Sequence, residues 1–352
     1  MKRWVIFSII IFFIFSVPVF AAEVPYIDGE PFFNDTAKAL SEGQFSLNPI
    51  ALFNRLMENI VYELKNEAHF LLTLIIIAIT SSVTNVLANS FGEKTSGEAA
   101  FFAVFALMSA IALKCFSIAL QYTGEVVGHM CGFITKLSPA VMITLALCGK
   151  TASAAAFQPI LSATVYVVSL FIEKALLPLS VFGAMLSVSS NISENVRLSG
   201  FTKVINSVSK WVMAAIITIF TGVNAIYGFN APALDAMSAK AVKFAIGTLV
   251  PVVGGFLSDT LEAVISGAKM MKNAAGTAGI VTLVTICAIP IIKIGVISLM
   301  LRITAAVCEP VTDRRISQML SQISTSVMTL FAVVIMVTVL FIINISIIIS
   351  FT

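Results

Sequence analysis

The sequence predicts an all-α fold: a polytopic membrane helix bundle with interrupted or re-entrant segments. Three observations predict it. The 352-residue chain is 59% hydrophobic, with a mean hydropathy of +1.02. Only 11% of its residues are charged, well under the roughly 25% of a soluble domain. Six apolar runs, 69–90, 99–122, 160–190, 211–229, 280–301 and 327–349, are long enough to cross a bilayer core of about 30 Å.

The same composition narrows the function. The 21 basic and 18 acidic residues nearly cancel, and Lys2 and Arg3 belong to a leader expected to be removed. Such a balance leaves no basic footprint, so nucleic acid is not a partner. The five cysteines, Cys115, Cys131, Cys148, Cys287 and Cys308, form no CxxC pair and lie in or beside apolar runs, which reads as small buried hydrophobes. His69 and His129 stand in no ligand spacing, so no metal site is expected. Gly149-Lys150-Thr151 resembles the end of a phosphate loop, but Thr144 stands where that motif needs glycine and no soluble strand precedes it. No cofactor is expected.

Residues 1–22 read as a signal peptide. Lys2 and Arg3 form the positive region, an apolar core follows, and Pro18 precedes Val19 and Ala21 at the small-residue cleavage positions. The alternative is an uncleaved anchor helix. Residues 23–68 form an external segment, irregular at first. Asn48-Pro49 then starts an amphipathic helix, with Leu52, Phe53, Leu56, Met57, Ile60, Val61 and Leu64 on one side. It lies on the membrane surface or packs on the chain's own helices. Residues 69–352 form the polytopic domain.

Within that domain Gly124, Gly128 and Gly132 make a doubled GxxxG, a face that lets helix backbones approach closely. The segments Lys136 to Cys148 and Phe244 to Ile265 are short or broken, and read as spans or re-entrant hairpins. Glu173-Lys174 interrupts another apolar run just before Pro178. The two side chains point apart on a helix and need separate partners or water. The basic loops Asn191–Lys210 and Arg302–Arg315 favour the cytoplasm. With residue 23 outside, both placements hold if the two broken segments do not cross, although Lys240, Lys243, Lys269 and Lys272 then fall on the outer side.

Residues 243–302 organise the chain. Pro251 and the Gly254-Gly255 pair are expected to break a helix. Beyond them Asp259, Glu262, Ser266, Lys269 and Asn273 fall within one arc at 100° per residue, opposite Leu257, Leu261, Val264, Ala268 and Met271. Charges on a broken membrane helix point to a path or an assembly surface. An amphipathic helix at the interface, with its charges in water, is the simpler reading.

The stretches TASAAAFQP (151–159) and VPVVGGFLSDTLEAVISGAKMMKNAAGTAG (250–279), with Pro290, Lys293 and Glu309-Pro310, resemble the stage III sporulation protein AE family. The likeness runs from the Asn48 helix to the end of the chain. It implies a membrane subunit, channel or permease-like, of a secretion or feeding complex between mother cell and forespore. Its implied partners are other membrane proteins of the stage III complex, an ATPase and a ring-forming protein, and its implied location is the mother-cell membrane around the forespore. The family supplies no catalytic residues, and the chain shows no nucleophile with a base, so no enzyme is expected. The alternative is a stand-alone secondary transporter using Asp259 or Glu262 to bind a cation.

Overall fold

The computed structural model describes residues 94–192, 200–223, 254–310 and 312–350, with isolated positions at 61, 65, 72, 73 and 76. For 94–100 and 254–264 it describes the backbone alone. The expected signal peptide, the amphipathic helix, the 69–90 span and Pro251 lie outside these residues, apart from those isolated positions.

Every regular element among the described residues is helical: α1 (Lys94–Leu147), α2 (Thr151–Phe171), a π-turn (Ile172–Leu176), α3 (Leu177–Ile192), α4 (Gly200–Val223), α5 (Gly254–Cys308) and α6 (Arg314–Ser350). With α2, the π-turn and α3 counted as one rod, five helices are long and apolar enough to cross a membrane. The chain is a multi-pass membrane protein. Five of the six expected spans fall one to each rod. At 1.5 Å per residue α1 and α5 are each roughly 80 Å long, more than twice the hydrocarbon core of a bilayer.

Of the two broken segments, read as spans or re-entrant hairpins, the first is described in full and the second only from residue 254. Residues 136–147 are the last turns of α1, and the described part of 244–265 is the start of α5. Neither turns back on itself. Pro139, Pro159 and Pro290 all sit inside continuous helices, as membrane bundles allow where neighbours and small local adjustments satisfy the freed carbonyls. Among the described helices the one interruption of α-helical geometry is the π-turn. Pro178 has no N–H to give the carbonyl of Lys174, and the Leu177 N–H reaches back five residues to Ile172 O.

The α1–α2 corner ends a helix with a left-handed glycine. Gly149 has φ +79°, and its N–H bonds Ala146 O at 2.9 Å while that of Lys150 bonds Leu145 O at 3.2 Å. This paired closure satisfies the last carbonyls of α1. The Gly149-Lys150-Thr151 run is therefore a helix end between two spans. At the opposite end Asp313 caps α6: its Oδ1 accepts from the Arg315 backbone N–H at 2.9 Å, and the Arg315 guanidinium grips both carboxylate oxygens at 3.1 and 2.8 Å. This grip holds the Asp313 carboxyl below the usual carboxylate range. The same guanidinium lies 3.7 Å from the Phe101 ring, which ties the start of α6 to α1.

Helices α1, α5 and α6 form the core. A Cβ placed on Gly276 or Gly279 of α5 would meet Ile349 and Ile345 of α6 and Leu137 of α1. Ser298 and Ser324 exchange hydroxyl-to-carbonyl bonds at 3.3 and 2.9 Å, and Ser317 donates to Ala305 O at 2.9 Å. Small residues let the backbones close, and lipid cannot supply partners for the hydroxyls. The α2–α3 rod covers this core through Ser138–Gln158 at 3.0 Å and Asn191–Gln322 at 3.2 Å. Helix α4 leans on α2, leaving an apolar cleft of about 410 Å³ lined by Val167, Phe171, Ile216 and Phe220. Successive rods alternate in direction. The described parts of the two basic loops, ending α3 and joining α5 to α6, consequently share one end of the bundle, as the charge pattern anticipated.

Candidate path and subunit-contact surfaces

The middle of the bundle is polar on one side. Gln121 and Glu125 stand near the centre of the apolar span Phe101–Leu147, and the Gln121 amide donates to Glu125 Oε1 at 2.9 Å. Gln121, Gly128, Gly132 and Lys136 are exposed and Glu125 is half-buried. At 100° per residue these positions follow one stripe down α1. Between Gln121 and Glu125, Tyr122 turns inward: it is buried, its hydroxyl has no hydrogen-bond partner among the described residues, and the buried Lys293 ammonium of α5 lies 4.8 Å from its ring centre. The π-turn reaches this level because Leu177 Cδ1 lies 3.9 Å from a Cβ built on Gly124. It carries Glu173 and Lys174, both exposed, and Ser169 donates to Glu173 Oε1 at 3.1 Å. Acid, base and amide groups thus gather at mid-span from α1, α5 and the π-turn. Ionisable groups at this depth are costly in lipid, and they mark water-lined paths or protein contacts.

The sequence pointed to two of these features and missed their connection. Of the doubled GxxxG, Gly124 meets α3, whereas a Cβ on Gly128 or Gly132 would find nothing within 4 Å among the described residues. The close approach inside the chain falls to Gly276 and Gly279, which no sequence motif singled out although they lie in a run of small residues, Asn273–Gly279. Tyr122 and Lys293 come together only through the α1–α5 packing, which no local pattern shows.

The described part of the 259–273 arc lies towards one end of the bundle. Ser266, Lys269 and Asn273 are exposed. Asp259 and Glu262 lie on α5 where the backbone alone is described, and Gly254 and Gly255 form its first residues. Ala268 faces inward as expected, but Met271 is exposed and Lys272 is completely buried. The Lys272 ammonium donates to Ile349 O at 2.9 Å. An unpaired carbonyl in the last turn of α6 is a site for a cation, and that contact sets the rotation of α5 here. Because α6 ends at Ser350, the first turns of α5 run on past it for roughly 25 Å.

Among the described residues no group of His, Cys, Asp and Glu could hold a metal, and all five cysteines are buried and form no disulfide.

Residues 32–352 match the family described as stage III sporulation protein AE. The chain belongs to that family. It is 28% identical over 308 residues to the stage III sporulation protein AE of Bacillus subtilis (strain 168), an overlap covering 88% of this chain and 77% of the relative. No solved structure matches it. Family membership and the membrane-crossing helices make it a sporulation membrane protein.

Proposed function

We propose that this chain is a channel or permease-like core subunit of a secretion or feeding complex joining mother cell and forespore, required for late forespore development. One observation carries the proposal: Gln121, Gly128 and Gly132, in line with the half-buried Glu125, are exposed among the described helices at mid-span. A lone protein in lipid would hide these groups, whereas a subunit lining a path or receiving a neighbour's helix leaves them open. The role is non-catalytic and sits in the mother-cell membrane around the forespore. The other membrane proteins of the complex, with its ATPase and ring-forming subunit, complete the assembly. The projecting start of α5, with Asp259, Glu262, Ser266, Lys269 and Asn273, is the second contact surface in this reading.

Two double variants test it. Glu125→Gln with Glu173→Gln, and Asp259→Asn with Glu262→Gln, are expected to lower spore yield while membrane levels of the protein stay unchanged. Normal yield from the first pair contradicts a role for the mid-span stripe, and from the second a role for the projecting helix.

A further inference from the structure

The first half of α4 has its polar side turned inward. Thr202 and Ser209 are buried, and Asn206 is half-buried beside α3, its Oδ1 3.9 Å from a Cβ built on Gly183. The outward side is apolar. Phe201, Val204, Val208 and Trp211 are exposed among the described residues, Trp211 to 77%. At 100° per residue the four share an arc of about 80°. A helix packed in water shows the reverse arrangement. Phe182 and Met185 add exposed apolar surface on α3 at the same level, where Gly183 meets Ile205 and Asn206.

A basic strip runs beside the apolar arc. Lys203 and Lys210 are both exposed and lie about 20° apart in projection down the helix. Side chains on a helix lean towards its N-terminus. In α4 that direction leads out of the span, because no charged residue follows Lys210 as far as Val223. Both ammonium groups are therefore carried towards the bundle end that holds the basic loops. A protein partner and a lipid could each cover such an arc. Its place at the start of a span, with an exposed tryptophan, two lysines and no acidic residue in α4, favours lipid. At a bilayer boundary acyl chains take the apolar side, the indole sits at headgroup level and lysines reach the phosphates. We propose that the first three turns of α4 bind an anionic phospholipid, its phosphate held by Lys203 and Lys210 and its acyl chains laid along Phe201, Val204, Val208 and Trp211.

Trp211 itself reports on the site. The chain has two tryptophans, Trp4 and Trp211, so Trp4→Phe in the full chain leaves Trp211 as the sole indole. This chain is reconstituted in phosphatidylcholine vesicles containing increasing fractions of phosphatidylglycerol or phosphatidylcholine with brominated acyl chains, which quench indole fluorescence on contact. Brominated phosphatidylglycerol is expected to half-quench Trp211 at the lower mole fraction, by roughly fivefold for each ammonium near the surface. Lys203→Gln with Lys210→Gln should remove that preference and leave quenching by phosphatidylcholine unchanged. Lys203→Arg with Lys210→Arg should keep the preference. Quenching by iodide on both sides of the membrane, and by neither brominated lipid, puts the arc in water as a protein-docking face would be, and overturns the proposal. Equal quenching by the two lipids, or a preference that survives in the glutamine pair, overturns it as well.

Discussion

Two sets of glycines in this molecule share a spacing logic and have opposite uses. Gly276 and Gly279 of α5 are closed: the end of α6 and Leu137 of α1 occupy the space where a side chain would stand. Gly128 and Gly132 of α1 have no neighbour among the described residues, on a face that also carries Gln121 and Glu125. A small-residue motif reports that a backbone can be approached. It does not report by what. In the core the chain supplies its own neighbour; on α1 the proposed function assigns the place to a partner subunit or a wet path.

The difference can be broken from either side. Gly276→Leu forces a branched side chain into the volume of Ile349, and overpacking of this kind costs about 3 kcal/mol. A large drop in detergent thermal stability is expected; an unchanged midpoint contradicts the closed α5–α6 contact. Asp313→Asn removes a charged cap, at a cost of about 1 kcal/mol, from an end of the molecule remote from both glycine pairs. Because the Asp313 carboxyl titrates below its ordinary value in the folded chain, its contribution is present above about pH 4. It fades as pH falls through the lowered folded value. Wild type and Asp313→Asn should therefore converge in acid, and a constant gap down to low pH contradicts the cap. Gly128→Leu should change intrinsic stability least, within about 0.5 kcal/mol, yet reduce recovery of the assembled complex. Lost stability instead means that α1 is covered by the chain itself.

Much of the fold was legible because lipid imposes a strong rule: twenty or so apolar residues with few charges form a span. That rule located five of the spans now described. It could not say how far each helix continues: the run 99–122 stops short of Glu125 and 136–148 reads as a separate short segment, yet both belong to α1. That continuity depends on neighbours the rule does not contain. The site was less legible for the same reason. Periodicity placed Ser266, Lys269 and Asn273 on the outer face and Ala268 inside, but assigned Met271 to the core. The carbonyl of Ile349, 77 residues from Lys272, reversed that choice. Likewise Glu173-Lys174 signalled an interruption, and only the fold brought it level with Gln121, Glu125 and Lys293.

The most direct test of the account is chemical access to the middle of α1 in intact membranes of sporulating cells. Cysteine introduced singly at Gly128 or Gly132 should react with a water-soluble maleimide or cross-link to a neighbouring subunit, while cysteine at the exposed apolar positions Val284 and Val339 should do neither. If positions 128 and 132 prove as inert as those two, the α1 stripe is sealed by lipid and the proposed path or subunit contact is wrong.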